Sequence, residues 1–253
     1  MTCFFLKSDS MIIGFIGFGR VSKSIVGMIE SDKIKFITSA ENRSSKTISN
    51  IKNTNIKCVD TFKEVAAKSD ILISATSPAN AIDNAKKYGK YCKGIYLDLN
   101  NISPDTASKI NEVVPDLVDA SIIGKVEANP VMYVSGVSAD KILFLNDYIN
   151  IKKISNNIGD ASLLKLLRST YTKSLTALLI ETTQLPDKYG LKEEFFDILS
   201  LTEGEDFQDK SQSRVKNTLL NPQRKAEELL EIIEYFGNDL KMPEAALKIL
   251  KQY

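Results

Sequence analysis

The stretch that most constrains the fold is residues 11–30, which read MIIGFIGFGRVSKSIVGMIE. It opens with the bulky apolar residues Met11, Ile12, Ile13 and Ile16, which is typical of a strand buried on both faces. Gly17 permits a tight turn, and Gly19 lets a pyrophosphate approach the N-terminus of the helix that follows. Ser22 is small enough to replace the third glycine of the motif. Strand, glycine turn and helix predict a dinucleotide-binding unit, with a buried hairpin as the alternative.

Composition excludes several kinds of partner. The chain has 253 residues, and its 33 basic and 32 acidic side chains nearly cancel. Neither nucleic acid nor a membrane is therefore expected as a partner, and no apolar run is long enough to span a bilayer. The three cysteines follow no metal-site or disulfide pattern. This usage is typical of reduced thiols and predicts a cytoplasmic protein.

The absence of histidine narrows the chemistry open to the chain. Ser-His-Asp and Cys-His catalysis are excluded, as are the usual zinc ligand sets, so no metal is expected. A general acid or base must then be Lys, Asp, Glu, Tyr or Cys. No P-loop sequence is present either.

Strand and helix patterns alternate as far as about residue 155. The predicted strands are residues 11–16, 35–40, 56–59, 70–75, 94–99, 117–120, 131–134 and 150–154. The predicted helices between them are residues 20–31, 62–68, 78–88, 104–112 and 139–148. Helix starts are indicated by Thr61 with Glu64, a capping box, and by Ser103 before a proline. This alternation predicts an α/β domain of the Rossmann type over residues 1–158, with a doubly wound parallel sheet covered on both faces.

The pattern changes after residue 158. Leucines recur at helical spacing from residue 160 to 189, and further helices are predicted at 191–201, 211–219, 223–236 and 243–252. We therefore expect an all-α domain over residues 159–253. Because so small a domain has difficulty burying all its leucines and isoleucines alone, it predicts a homodimer joined through these helices.

The end of the second strand bears on the choice of cofactor. An acidic residue there binds the ribose hydroxyls of NAD, whereas an arginine accommodates the 2′-phosphate of NADP. The chain offers both Glu41 and Arg43. If Asn42, Arg43 and Ser44 form the turn after the strand, Arg43 can pair with the phosphate, and Ser44 and Lys46 can assist. The sequence favours NADP, with NAD and a solvent-exposed arginine as alternatives.

Polar residues also follow the fourth, fifth and sixth strands, where ligands bind in open parallel sheets. The candidates are Thr76, Ser77, Asn100, Asn101, Ser121, Gly124 and Lys125. Helix capping is a sufficient explanation for Ser77, and loops are polar in any case, so Asn100 and Lys125 fit a functional and a structural role about equally well.

The long helix carries a polar stripe on an otherwise leucine-rich segment. Its members Lys165, Ser169, Thr172, Lys173 and Thr176 share one face. A stripe that faces water is the more usual explanation for such a pattern, and a functional role is the other.

These motifs resemble those of the β-hydroxyacid dehydrogenase superfamily, which includes 6-phosphogluconate and 3-hydroxyisobutyrate dehydrogenases. GFIGFG at residues 14–19 looks like its cofactor signature, DLNNISP at 98–104 its segment after the fifth strand, and GDASLLK at 159–165 the stretch leading to its catalytic lysine. The likeness spans nearly the whole chain. It is strongest to a subgroup described as phosphogluconate dehydrogenase NAD-binding proteins, with a C-terminal domain of unknown function.

The resemblance implies a site, a cofactor and a dimer. Cofactor contacts would come from Gly14, Gly17, Phe18, Gly19, Arg20, Val21, Asn42, Arg43, Ser44, Thr76 and Ser77. Substrate contacts would come from Asn100, Asn101, Ser121, Gly124, Lys125 and Lys173. Lys165 would exchange the proton on the reacting oxygen, with Ser169 beside it. The chain departs from the superfamily at two places. Ser169 stands where an asparagine is usual, and residues 121–124 are bulkier than the Ser-Gly-Gly segment that is usual there.

The sequence thus predicts an NADP-dependent oxidoreductase that acts on a small hydroxyacid or a related alcohol or carbonyl. Lysine can serve as its proton donor near neutral pH if desolvation or a neighbouring cation, such as Lys173, lowers its pKa. Two alternatives stay open. One is a non-catalytic dinucleotide sensor or scaffold, and the other is an imine reductase.

Overall fold

The computed structural model describes residues 10–124 and 130–253. The chain divides into two compact units, one ending at Lys165 and the other spanning Leu166–Tyr253. The predicted division after residue 158 lies close to this one. Among the described residues, no helix is both long enough and apolar enough to cross a membrane.

The first unit alternates strands and helices. Its strands are β1 Met11–Ile16, β2 Ile34–Ser39, β3 Lys57–Val59, β4 Ile71–Ser74, β5 Ile95–Asp98, β6 Leu117–Ile123, β7 Val131–Ser135 and β8 Asn150–Ser155. Its α-helices are α1 Arg20–Met28, α2 Ser45–Lys52, α3 Phe62–Lys68, α4 Ala81–Tyr88 and α5 Pro104–Asn111. Short 3₁₀ helices occupy Pro78–Asn80 and Gly89–Tyr91, and a longer one occupies Val137–Asp147.

The eight strands form one sheet in the order β3-β2-β1-β4-β5-β6-β7-β8. The strand order reverses between β1 and β4, which is the point where open α/β sheets bind their ligands. Strands β1 to β6 are parallel, but β7 runs antiparallel to β6. The predicted doubly wound parallel sheet is confirmed, and the β6–β7 pair is an antiparallel addition at its edge that the sequence pattern did not indicate. Residues 124–130, which join the two strands, are fewer than the dozen or so that a parallel crossover needs.

Apolar side chains fill both faces of the sheet. One face packs Ile13, Phe15 and Val118 against residues of α1 and the long 3₁₀ helix. The other packs Leu72 and Tyr96 against α3, α4 and α5. The α/β class with helices on both faces is thus confirmed.

Local signals placed most helix starts correctly. The Glu64 N–H donates to Thr61 Oγ1 at 3.2 Å, and the Thr106 N–H donates to Ser103 Oγ at 3.2 Å. Helix α2 was not predicted, because Ile51 is its only buried residue. The segment predicted as a helix over 139–148 is a 3₁₀ helix, and its buried Ala139, Ile142 and Leu145 recur every third residue. A 3₁₀ helix places every third side chain on one line.

The second unit is all helical. Helix α6, Asp160–Tyr189, begins in the first unit and continues through the second, followed by α7 Lys192–Glu203, α8 Phe207–Leu219, α9 Pro222–Phe236 and α10 Met242–Leu250. A 3₁₀ helix at Gly237–Asp239 precedes α10. The core joins Ile180 of α6 to Leu229 and Ile232 of α9 and to Leu247 and Leu250 of α10.

Candidate functional site

The turn after β1 contains two glycines, and each position suits glycine for a different physical reason. Gly17 has a φ of +89°, and a Cβ there would lie 2.5 Å from the Ala75 carbonyl oxygen, so the fold itself requires glycine. Ser22, wholly buried at the third motif position, donates its hydroxyl to the Gly17 carbonyl at 2.8 Å. At Gly19 a Cβ would meet no described atom within 4 Å. Space beside Gly19 is what the approach of a pyrophosphate to α1 requires.

The other residues of the predicted signature take different positions. Gly14 lies inside β1, where a Cβ would be 1.9 Å from Ser69 Oγ. This contact gives Gly14 a role in packing the segment after α3 on the sheet, and its part in the cofactor site stays a prediction. Phe18 is buried. Arg20 is exposed and Val21 is partly buried in the first turn of α1, whose N-cap, Gly19, carries no side chain to cap the helix.

A turn follows β2 and is closed by the Arg43 N–H, which donates to the Ala40 carbonyl at 3.2 Å. Asn42 adopts a φ of +55°, a left-handed conformation that asparagine tolerates better than most residues. Ser44 precedes α2 and accepts the Thr47 N–H at 3.4 Å, as an N-cap does. Ser44 therefore has a structural role, and its contact with a cofactor stays a prediction.

Two side chains of this turn have separate tasks. Glu41 Oε2 accepts the Phe62 N–H at 3.1 Å, so the carboxylate binds the first residue of α3. The Arg43 guanidinium lies over the Phe62 ring, 4.4 Å from its centroid. Its Nε is buried and has no hydrogen-bond partner among the described residues. One carboxylate oxygen of Glu41, the acidic alternative for the ribose, is thus engaged by the protein, whereas the arginine retains donors for an anion.

A buried network joins the ends of β4 and β5. Asn100 Oδ1 accepts the Thr76 N–H at 2.6 Å and the Thr76 hydroxyl at 3.1 Å. Asn100 Nδ2 donates to Ser74 Oγ at 2.9 Å and to Asp98 Oδ2 at 2.7 Å. These four bonds occupy both donors and both acceptor sites of the amide. Asn100 therefore links the two loops, and its substrate contact stays a prediction.

Asp98 is the acidic member of this network. Its carboxylate is almost wholly buried and accepts the Asn100 N–H at 2.9 Å in addition to the amide bond. Burial raises the pKa of Asp98 to about 7, although the hydrogen bonds from Asn100 oppose the rise. Asp119, its register partner on β6, adds to it by charge repulsion.

Four further predicted residues lie around the same strand ends or outside the described ranges. Ser77 precedes the 3₁₀ helix at 78–80, and its hydroxyl accepts from Asn80 at 2.9 Å. Asn101 and Gly124 are exposed. Lys125 lies outside the described residues. The contacts of these residues with a ligand stay predictions.

Strand β6 carries two buried polar residues on one face. Asp119 accepts the Ser162 N–H at 2.9 Å, the Ser162 hydroxyl at 2.7 Å and the Ser135 hydroxyl at 3.2 Å. Burial raises the pKa of Asp119, and the Ser162 and Ser135 bonds oppose the rise. Two residues on, Ser121 is 2% exposed, and its hydroxyl has no hydrogen-bond partner among the described residues. A buried hydroxyl without a partner is costly, so it fits a ligand contact.

The polar stripe of α6 is not a simple water-facing surface. Lys165 is partly buried and is the last residue of the first unit. In the second unit, Lys173 is 9% exposed, and its ammonium pairs with Glu228 of α9 at 2.8 Å and donates to Ser169 Oγ. Burial lowers the pKa of Lys173, and the hydrogen bond that its ammonium donates to Glu228 limits the fall. Lys173 is therefore neutralised by the protein, and its predicted substrate contact stays a prediction.

Sequence reasoning missed two residues around the site of the first unit and, within the second unit, the partner of Lys173. Phe62 was predicted only as a helix residue, and Asp119 only as part of a segment. Glu228 carried no local signal, because its partner Lys173 is far away in sequence. Two buried carboxylates in neighbouring strands, Asp98 and Asp119, were the one pattern that could have been noticed.

Comparison with known proteins finds relatives over most of the chain and a family profile over its N-terminal part. The family profile described as NADP oxidoreductase, coenzyme F420-dependent, matches residues 12–98. An uncharacterised 28.5 kDa protein of Methanothermus fervidus is 42% identical over 228 residues, which cover 89% of this chain and 90% of that protein.

Solved structures share the fold over nearly the whole chain. A conserved protein of unknown function, described as structurally similar to 3-hydroxyacid dehydrogenases, is 34% identical with a TM-score of 0.85 and 96% of each chain covered. The 3-hydroxyisobutyrate dehydrogenase of Mycobacterium tuberculosis, solved with L-serine, is 15% identical with a TM-score of 0.77 and coverage of 96% and 93%. Imine reductase from Myxococcus stipitatus has the same fold at a TM-score of 0.58. The chain therefore belongs to the 3-hydroxyacid dehydrogenase superfamily of NAD(P)-binding oxidoreductases, which includes 6-phosphogluconate and 3-hydroxyisobutyrate dehydrogenases.

Proposed function

We propose that the protein is an NADP-dependent oxidoreductase that acts on a small hydroxyacid or the corresponding carbonyl compound. The observation that carries the choice of NADP is that the two charged side chains after β2 make different contacts. Glu41 is bound to the start of α3, whereas Arg43 lies on Phe62 with a buried, unpartnered Nε among the described residues. An anion could pair with the charge of this guanidinium, and the 2′-phosphate is the anion that distinguishes NADP from NAD.

The residues present fit the cofactor. The space at Gly19 and the uncapped start of α1 suit a pyrophosphate, with Arg20 and Val21 in the first turn. Arg43 and the N-terminus of α2 at Ser44 suit the extra phosphate. When bound, NADP supplies the hydride acceptor, and NADPH the hydride donor.

The side chains of the first unit supply the rest of the chemistry. Lys165 is the candidate to exchange a proton with the reacting oxygen, which is the task of a general acid or base. Ser121, with its unpartnered hydroxyl, is the candidate to orient the substrate by a hydrogen bond. Lys173 has no part in this proposal, because Glu228 and Ser169 already bind its ammonium.

Titration with reduced cofactors tests the proposal. Wild type, Arg43→Ala and Lys52→Ala are titrated with NADPH and NADH by cofactor fluorescence. Lys52 is a matched control, because it removes a cation from the far end of α2. We expect Arg43→Ala to weaken NADPH binding by about 1.5–3 kcal/mol, as for a hydrogen bond to a charged group, and to leave NADH binding unchanged. Equal affinity of the wild type for both cofactors would contradict the proposal.

A substrate screen tests the reaction itself. Short hydroxyacids and sugar acids are offered with NADP⁺, and their oxo forms and cyclic imines with NADPH, while absorbance at the nicotinamide band is followed. Turnover of imines alone would favour an imine reductase. NADPH binding without turnover of any compound would favour a sensor, an alternative supported by the use of Ser169 and Lys173 within the helical unit.

A further inference from the structure

The first turn of α6 is bound to the sheet by a buried carboxylate. Asp119 has no exposed surface and accepts both the backbone N–H and the hydroxyl of Ser162. Its third bond comes from Ser135, whose hydroxyl accepts the Ala161 N–H at 3.0 Å. The first N–H groups of a helix have no partner inside the helix. Here strands β6 and β7 supply those partners from a distant part of the sequence.

The same contacts also set the position of Lys165. Lys165 follows Ser162 by three residues, so the two lie on the same side of α6. Ser121 follows Asp119 by two residues, so both lie on the same face of β6. By binding Ser162, the carboxylate therefore turns the side of α6 that carries Lys165 toward the face of β6 that carries Ser121.

We propose that Asp119 is the positioning residue for Lys165, and that its grip on Ser162 holds the lysine amine beside the substrate hydroxyl site at Ser121. The inference rests on the proposed function, in which Lys165 exchanges the proton. Asp119 touches neither cofactor nor substrate in this role. It acts through the helix, because two bonds from Ser162 to Asp119 and one from Ala161 to Ser135 tie the first turn to strands β6 and β7.

Simple stabilisation is a poor reason for this carboxylate. A buried charge is expensive to desolvate, and an apolar residue at the same place is often as stabilising. A buried negative charge can, however, orient the end of a helix, because an anion interacts favourably with a helix N-terminus. Catalytic groups must be held to within a fraction of an ångström, and a misplacement of about 1 Å can cost about a hundredfold in rate.

The test compares two serine-to-alanine substitutions, each of which removes a hydroxyl that donates to an aspartate. Ser162→Ala removes the hydroxyl that donates to Asp119, and Ser138→Ala removes the buried hydroxyl that donates to Asp116, away from α6. Ser162→Thr keeps the donor. Three quantities are measured for each protein: the NADPH dissociation constant, kcat and KM for NADP⁺-linked oxidation of 3-hydroxyisobutyrate, and the rate at which acetic anhydride acetylates Lys165, resolved by mass spectrometry.

We expect Ser162→Ala to lower kcat about tenfold to a hundredfold with little change in KM or NADPH affinity. The acetylation rate of Lys165 should change severalfold, while Ser138→Ala stays like the wild type and Ser162→Thr restores both values. An unchanged Lys165 acetylation rate in Ser162→Ala overturns the inference. If 3-hydroxyisobutyrate is not oxidised, the acetylation rate alone decides. If the wild type fails to bind NADPH, the proposed function fails while the acetylation result still judges Asp119.

Discussion

Two identical substitutions, two residues apart, should affect different properties of the protein. Gly17→Ala and Gly19→Ala each add one methyl group to the turn after β1. At Gly17 the methyl would meet the Ala75 carbonyl at 2.5 Å with the backbone at a φ of +89°. At Gly19 the backbone has a φ of −91° and a ψ of −159°, and no described atom lies within 4 Å of the added carbon. The first change strains the fold, and the second occupies the space assigned to the cofactor.

The magnitudes follow from these contacts. A left-handed conformation costs an L-residue about 1–2 kcal/mol, and overpacking against backbone costs about 1–3 kcal/mol. Gly17→Ala should therefore lower the free energy of unfolding by about 2–5 kcal/mol. Gly19→Ala meets neither cost, and its loss of a favourable N-cap is worth about 1 kcal/mol at most.

The assay pairs urea unfolding, followed by circular dichroism, with NADPH titration. We expect Gly19→Ala to keep a midpoint close to that of the wild type and to lose at least about tenfold in NADPH affinity, which is 1.4 kcal/mol. Gly17→Ala should unfold at markedly lower urea. If Gly19→Ala binds NADPH as the wild type does, the pyrophosphate does not approach this glycine. If Gly17→Ala is as stable as the wild type, the geometry of the turn is wrong.

Three further outcomes are expected. Lys165→Ala should keep NADPH affinity and lose about 10²–10⁴-fold in turnover, and Lys165→Arg should rescue poorly because guanidinium holds its proton; steady-state kinetics check both. The wild type should be a homodimer joined through residues 160–253, and Tyr171→Ser with Leu178→Ser, which removes two large exposed apolar side chains of α6, should give a monomer by light scattering at micromolar concentration. Glu228→Gln should lower the free energy of unfolding by about 3 kcal/mol, because it leaves the buried charge of Lys173 without its partner, and a urea titration measures the loss.

The order of elements was predictable from the sequence because it depends on local patterns. Apolar strands between turn residues gave each strand of the sheet within a few residues. Thr61 and Ser103 marked helix starts, because a capping side chain bonds to the backbone only three residues away. The antiparallel direction of β7 followed from the short connection before it, which the alternation of strands and helices had concealed. Helix α2 has too little apolar surface to give a periodic signal.

The sequence by itself determined the α/β class and the glycine turn, since helical and strand periods and the conformational needs of glycine act over a few neighbouring residues. It offered Glu41 and Arg43 as rivals for the cofactor and Lys173 as a cation for the site. Only the tertiary structure assigned Glu41 to Phe62 and Lys173 to Glu228. These partners are far apart in sequence, and a side chain satisfies its charge and hydrogen bonds with whichever groups the fold brings within about 3 Å.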